Sequence, residues 1–218
     1  MKTEHRDVHG LVKPLLRGQL HVGAVFAAVP AAIVLVVVAG STHARVAAVV
    51  YGLTLIALFS VSGAYHRVHV HGPLQHMLRR ADHATIYGLI AGSYTPVALV
   101  AVGGVVGWIL FVAAWTIAAL GMSLKIVWFD HTGKFGGFLY IAMGWMVVGA
   151  APWVLAGMSA AELILFALGG LLYTGGAIIL ATRRPNPNPR VFGYHEVWHT
   201  CVVVAAACHY AAMVSIVR

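Results

Sequence analysis

Residues 46–65 read VAAVVYGLTLIALFSVSGAY and contain no Asp, Glu, Lys or Arg. An α-helix of this length is about 30 Å long, which matches the hydrocarbon core of a bilayer. Six further windows are equally free of these four residue types, at 21–39, 84–102, 105–124, 135–156, 163–182 and 197–217. The sequence therefore predicts seven membrane spans.

The overall composition agrees with that prediction. Of the 218 residues, 61% are hydrophobic and 9% are charged, whereas a soluble domain carries about 25% charged residues. The windows lack strand alternation, and an open sheet cannot lie in lipid because its backbone would be unpaired. We expect an all-α, seven-helix transmembrane domain at 19–218. Residues 1–18 form a separate cytoplasmic segment, for which an interfacial helix and a disordered tail remain open.

The positions of the cations predict the orientation. With the N-terminus in the cytoplasm and the C-terminus outside, every Lys and Arg except Arg45 and Arg218 lies on the cytoplasmic side, as the positive-inside rule requires. These cations then lie against anionic headgroups, so the net charge of +8 does not indicate nucleic-acid binding. We expect a multi-pass protein of the cell (cytoplasmic) membrane.

The predicted connections are mostly short, with longer loops at 66–83, 125–134 and 183–196. The last contains RRPNPNP, in which three prolines prevent a helix. His69, His71 and His76 fall in the first of these loops. The two cysteines, Cys201 and Cys208, lie about 10.5 Å apart along one predicted helix, too far for a disulfide.

Ionisable residues gather at one end of this topology. His66 ends the second span, Asp82 opens the third, and His195, Glu196 and His199 open the seventh. All three places are cytoplasmic in the predicted orientation. Ionisable groups within a membrane span are costly to bury and indicate function by default.

The spacing within the seventh span predicts a metal site. His195 and His199 are separated by four residues and therefore share one helix face. Two such imidazoles with a third ligand and a water make a tetrahedral zinc site, and His66 is the best third ligand. Ser62 lies one turn before His66 on the same face. A backbone hydrogen bond for Ser62 and an arginine partner for Asp82 remain the alternatives.

Other histidine patterns are less favourable. The string HEVWH at 195–199 matches the H-E-x-x-H pattern of metalloproteases, but no Asp or Glu follows Glu196 to complete it. His209 lies about 21 Å beyond His195 along the helix, too far to share one ion. His21 and His43 have no partner that the sequence identifies.

Five strings in chain order carry a resemblance to a known family. They are RGQLH at 17–21, SGAYH at 62–66, RADHATI at 80–86, AGSYTP at 91–96 and FGYHEVWH at 192–199. They resemble the hemolysin III family, which belongs with the progestin and adipoQ receptors, a group that includes the adiponectin receptors. The receptor branch has a Gln-type residue where this chain has Glu196.

The resemblance implies a seven-helix bundle with zinc near the cytoplasmic leaflet. The family's histidine ligands fall on His66, His195 and His199, its aspartate on Asp82 and its serine on Ser62. The wider superfamily includes alkaline ceramidases, which implies a zinc-dependent hydrolase of a lipid amide or ester. In that reaction Asp82 would orient or deprotonate a water, and Ser62 would bind that water or the developing oxyanion.

Other functions remain open at this point. Zinc could clamp the bundle without turnover in a protein that senses or maintains membrane state. A cytolytic pore, an intramembrane metalloprotease and a b-type haem protein are less favoured. Membrane lipids are the expected partners, and no hormone is expected because the chain has no large domain for one.

Overall fold

The computed structural model describes residues 14–68 and 70–218, apart from the side chains at 130 and 132–135. This part of the chain has seven helical stretches long and apolar enough to cross a membrane. They are Gln19–Val38, Thr42–Arg67, Pro73–Val102, Gly104–Val127, Gly136–Gly157, Ala160–Thr182 and Tyr194–Val217. The predicted number of spans and the all-helical class are confirmed. The question of a helix or a tail at 1–13 lies outside the described residues.

Eight α-helices make up these seven spans. They are α1 (Gln19–Val38), α2 (Thr42–Arg67), α3 (Pro73–Pro96), α4 (Gly104–Val127), α5 (Phe129–Trp145), α6 (Ala151–Gly157), α7 (Ala160–Thr182) and α8 (Tyr194–Val217). A π-helical turn, Val97–Val102, extends α3, and a 3₁₀ turn, Met146–Ala150, joins α5 to α6 within the fifth span.

Local sequence explains where several helices begin. The Ser41 side chain accepts a hydrogen bond from the Ala44 amide and caps α2. A capping box of Ser159 and Glu162 starts α7, which satisfies amides that have no helical partner. At the turn before α4, Gly103 and Gly104 have φ of 63° and 55°, a conformation that favours glycine.

The bounds predicted from sequence are wrong for two of the three long loops. Residues 66–83 were expected to be a loop, but α3 begins at Pro73 and includes His76. Residues 125–134 were expected to be a loop, but α4 runs to Val127 and α5 begins at Phe129. An apolar window marks only the part of a helix that lies in the lipid. The helix can continue beyond that window, because its polar side chains there reach headgroups and water.

The packing brings distant parts of the chain to one end of the bundle. Helix α8 packs against α7 and also contacts α1, α2 and α3. Helix α1 packs along α2, and α2 packs along α3. Because α1, α3 and α8 start where α2 ends, their terminal side chains meet there. The other faces carry exposed side chains such as Phe26, Ile109 and Leu171, as a lipid-facing surface requires.

Candidate metal centre

Three imidazoles converge where α2 ends and α8 begins. His66 lies in the last turn of α2, and His195 and His199 lie in the first two turns of α8. One ring nitrogen of each lies within 4.8 Å of the others, and the Nε2 atoms of His66 and His195 are 3.2 Å apart. His66 and His199 are buried, with 6% and 2% of their surface exposed.

This donor set fits a metal ion. Zinc–nitrogen distances of 2.0–2.1 Å in a tetrahedral site put ligand nitrogens about 3.3 Å apart. The observed 3.2 Å between His66 and His195 agrees with that separation. A single hydrogen bond would satisfy only two of the three rings. His199 Nδ1 is buried and has no hydrogen-bond partner among the described residues. The three histidines can therefore hold a cation, and imidazole suits zinc, copper, iron and nickel.

A carboxylate lies beside the first of these rings, that of His66. Asp82 is in the third turn of α3, with its Oδ2 atom 3.9 Å from His66 Nε2. The Ser62 side chain lies within hydrogen-bonding reach of the Asp82 carboxylate. The structure thus brings together all five predicted site residues, including Ser62, which is buried one turn before His66. The approach of Ser62 to Asp82 was not predicted, because the two residues lie on different helices and spacing along the chain does not pair them.

His83 lies on the other side of Asp82. Its Nδ1 atom is 2.9 Å from the carbonyl oxygen of Arg79, so Nδ1 carries the proton and donates to that carbonyl. The same nitrogen is 3.9 Å from Asp82 Oδ2, too long for a hydrogen bond. The Tyr140 hydroxyl donates to the His83 carbonyl oxygen at 3.1 Å. These contacts connect the third and fifth spans beside the carboxylate.

Glu196 does not face the three imidazoles as a free base. Its side chain is fully buried. Oε1 accepts a hydrogen bond from Arg17 Nε at 2.6 Å, and Oε2 accepts one from the Gly193 amide at 2.9 Å. Both oxygens are therefore engaged in an ion pair and in capping α8. A metalloprotease uses the glutamate of H-E-x-x-H as its general base, so the occupied oxygens of Glu196 argue against that function.

The segment before α1 braces this end of the bundle. The Leu15 and Leu16 amides donate to the carbonyl oxygens of Arg190 and Val191 at 3.0 and 3.2 Å. Gly18 has φ of 77°, and a Cβ there would lie 2.5 Å from His66 Cβ. Arg17 and Glu196 are 179 positions apart. With only six acidic residues in the chain, a buried cation partner for Glu196 was a pairing to look for.

The structure also places a fourth histidine against the site. His21, in the first turn of α1, stacks on His199 with ring centroids 3.8 Å apart and planes 9° apart. His21 was left without a partner in the sequence analysis. Its position at the start of the first span puts it at the same depth as His66 and His199. The depth comparison used for the other histidines was therefore the signal that would have found it.

The other buried histidine of α8 stands apart from this site. His209 stacks on Phe166 with centroids 4.4 Å apart, and its Nε2 lies 3.3 Å from the Phe166 carbonyl oxygen. The grouped metal donors within the described residues are His66, His195 and His199. His71 and His43 are exposed.

The fold and these side chains define a class: a polytopic helical membrane protein with a three-histidine centre at one end of its bundle. The model of the haemolysin-III-related family matches residues 9–210. The chain belongs to that family.

Curated relatives agree with this assignment. The chain is 33% identical to "Hemolysin-3" of Bacillus cereus over 85% of this chain and 83% of the relative. It is 31% identical to "Hemolysin-3 homolog" of Bacillus subtilis (strain 168) over 84% of each. It is 29% identical to the human "Monocyte to macrophage differentiation factor" over 78% of this chain and 69% of that protein.

Proposed function

We propose that the chain is a zinc-dependent hydrolase that cleaves an amide or ester bond of a membrane lipid. One observation carries the proposal: three imidazoles converge within 4.8 Å, and a carboxylate oxygen lies 3.9 Å from one of them. A metal clamp alone needs the imidazoles, whereas hydrolysis also needs a base beside them. We further propose that this end of the bundle faces the cytoplasm, as the distribution of Lys and Arg predicts.

Each side chain has a distinct role in this proposal. His66, His195 and His199 would hold the ion, which would supply Lewis acidity to water and to a carbonyl oxygen. Asp82 accepts the proton of the attacking water at a carboxylate oxygen and passes it to the leaving group. The Ser62 hydroxyl, which lies within hydrogen-bonding reach of Asp82, donates to the carboxylate in this proposal and holds it in position. Arg17 and the Gly193 amide occupy both oxygens of Glu196, so that Asp82 is the working base.

The location favours a lipid substrate. The histidines lie in the terminal turns of helices that are long and apolar enough to span a membrane. The end of such a span corresponds to the depth at which lipid headgroups join their chains. Amide and ester bonds of lipids lie at that depth. The two Bacillus relatives carry the word hemolysin in their names, but the described spans offer few polar side chains to line a pore, so cytolysis is not the function we propose.

A lipid comparison in cells and with purified protein tests the proposal. Wild type, Asp82→Asn and the double variant His195→Ala/His199→Ala are expressed equally, and total lipids are measured by mass spectrometry. We expect one lipid class to fall and its cleavage product to rise only with wild type. Purified wild type should carry about one zinc per chain, and Asp82→Asn should retain it with turnover lowered about 10²–10⁴-fold.

A second function is favoured by burial. His66 and His199 are almost fully enclosed, which suits a zinc ion that fastens α2 to α8 without turnover. In that case the lipid profile stays the same in all three strains, and loss of zinc lowers the unfolding temperature. Zinc below about a tenth of an ion per chain in chelator-free wild type would contradict both functions.

A further inference from the structure

His21 makes a contact that the proposed reaction does not use. Its ring lies face to face with His199 at 3.8 Å, and the edge-to-face contact of Phe59, at 5.2 Å, holds it in place. Only 3% of His21 is exposed. Helix α1 therefore contributes one side chain directly to the ring of a metal donor.

The geometry excludes His21 as a fourth donor to the same ion in this arrangement. A ring nitrogen binds a metal along its lone pair, which lies in the plane of the ring. Tetrahedral ligands approach one ion from directions about 109° apart. The planes of His21 and His199 are 9° apart and stacked, so the lone pairs of the two rings lie in parallel layers and do not converge.

Hydrogen bonding does not explain the position of His21 either. Both of its ring nitrogens are buried and have no hydrogen-bond partner among the described residues. Burying polar atoms without partners is unfavourable, and an apolar side chain would fill the same volume without that cost. What His21 offers in this structure is therefore the face of its ring.

The face of the His21 ring interacts more strongly with His199 when His199 binds a metal ion than when it does not. The face of an aromatic ring is the negative part of its quadrupole, and it attracts a cation or a group that carries positive charge. When His199 binds a divalent ion, its ring takes part of the ion's charge. Stacking then stabilises the loaded state more than the empty one and also fixes the plane of His199.

We propose that His21 is a positioning residue of the metal centre, which strengthens metal binding by stacking its ring face on His199. The inference rests on the metal site of the proposed function, but it is independent of turnover. In this inference the start of α1 belongs to the metal centre together with α2 and α8, which supply the donors.

Two variants of His21 separate the ring face from volume. His21→Phe keeps an aromatic face and removes the two nitrogens that have no partner, whereas His21→Leu fills space without a face. Full-length protein in detergent is stripped with a chelator and titrated with Zn²⁺ against a chromophoric competitor. We expect His21→Phe to bind zinc within about threefold of wild type. We expect His21→Leu to bind about tenfold or more weakly, as partners of metal ligands typically do.

A Co²⁺ spectrum reports the geometry of the ligands directly. The visible bands of Co²⁺ should be unchanged in His21→Phe and shifted or broadened in His21→Leu, because the plane of His199 is no longer fixed. His209→Leu is the matched control, since His209 is also buried and stacked, on Phe166. It should leave zinc affinity and the spectrum unchanged. If His21→Leu does not fold, His21→Met takes its place.

Three outcomes overturn the inference. Equal loss of affinity in the Phe and Leu variants means that the nitrogens are needed and that His21 is a ligand or a hydrogen-bond partner. Unchanged affinity and spectrum in both variants means that His21 does not act on the centre. Absence of metal from wild type removes the metal centre itself, and the proposed function fails with it.

Discussion

Two buried histidines of α8, His199 and His209, show how different an imidazole inside a membrane protein can be. Their exposed fractions are 2% and 8%, and each stacks on another aromatic ring. His199 lies within 4.8 Å of two further imidazole donors. His209 lies against Phe166 and Tyr173, with its Nε2 near the Phe166 carbonyl oxygen. Convergence of donors, and not burial, separates the candidate metal centre from a packed aromatic side chain.

The surroundings of the two histidines differ in the same way. Near His199 the chain places the carboxylate of Asp82 and the ion pair of Arg17 with Glu196. Near His209 it places the ring of Tyr173 and a close glycine, Gly169, that lets α7 approach α8. Charged side chains therefore lie near His199, where a cation is expected. A small residue lies against His209, where close packing of helices is the only requirement.

Removing donors should have the largest effect. His195→Ala/His199→Ala leaves a single imidazole, so we expect zinc to fall from about one ion per chain to below a tenth. Elemental analysis of purified protein measures this. His209→Ala is the control and should retain the full amount, and loss of zinc in that variant would break the distinction between the two histidines.

The ion pair beside the metal centre should contribute the next largest effect. Arg17→Met leaves Glu196 buried without its cation, so we expect unfolding in detergent to become easier by about 3–5 kcal/mol. The double variant Arg17→Met/Glu196→Met should recover most of that loss, since replacing both charges by apolar groups is often neutral. Arg45→Met, at an exposed position, is the control. Equal stability of Arg17→Met and wild type would show that the ion pair of Arg17 with Glu196 does not stabilise this end of the bundle.

The contact of Ser62 with Asp82 should contribute less, and only to turnover. Ser62→Ala removes the hydroxyl that orients the carboxylate, so we expect kcat to fall about tenfold, the effect of one lost hydrogen bond to a charged group, while zinc content stays the same. Ser60→Ala, two residues earlier on another helix face, should have wild-type kinetics. A double variant Ser62→Ala/Asp82→Asn no slower than Asp82→Asn alone would show that Ser62 acts through Asp82.

The smallest effect is expected at His209. His209→Phe keeps the stacking on Phe166 and loses one contact to a carbonyl oxygen, so we expect the free energy of unfolding to change by about 1 kcal/mol or less. Detergent unfolding followed by circular dichroism measures this, with His43→Phe as an exposed control. A loss as large as that of Arg17→Met would mean that His209 is held by more than packing and one hydrogen bond.

Much of the fold could be predicted from the sequence, because a membrane restricts which backbone structures can cross it. Seven apolar windows predict seven spans, and each span is a helix because its backbone groups must pair internally. The loops at 66–83 and 125–134 were predicted wrongly, since hydropathy marks the edge of the lipid and not the end of a helix. The orientation of the chain stays a prediction.

The candidate site was readable only in part. The spacing of His195 and His199 is local, so helix geometry alone put them on one face. The meeting of His66 with that pair followed from counting spans, which fixes the depth of a residue but not its neighbour. The depth of His21 was available from the same counting of spans, but its stacking on His199 was not. The pairing of Arg17 with Glu196 and the approach of Ser62 to Asp82 also depend on contacts between helices, which neither kind of reasoning gives.

The sequence by itself determined the number of spans, the helical class and the end of the bundle at which histidine and aspartate gather. Periodicity and hydropathy act within one helix, so they establish such features without knowledge of any neighbour. Tertiary structure decided which side chains touch, because rotation and lateral packing of α1, α2, α3 and α8 depend on contacts between helices. It also assigned different surroundings to the two carboxylates: Glu196 pairs with Arg17, and Asp82 lies beside His66.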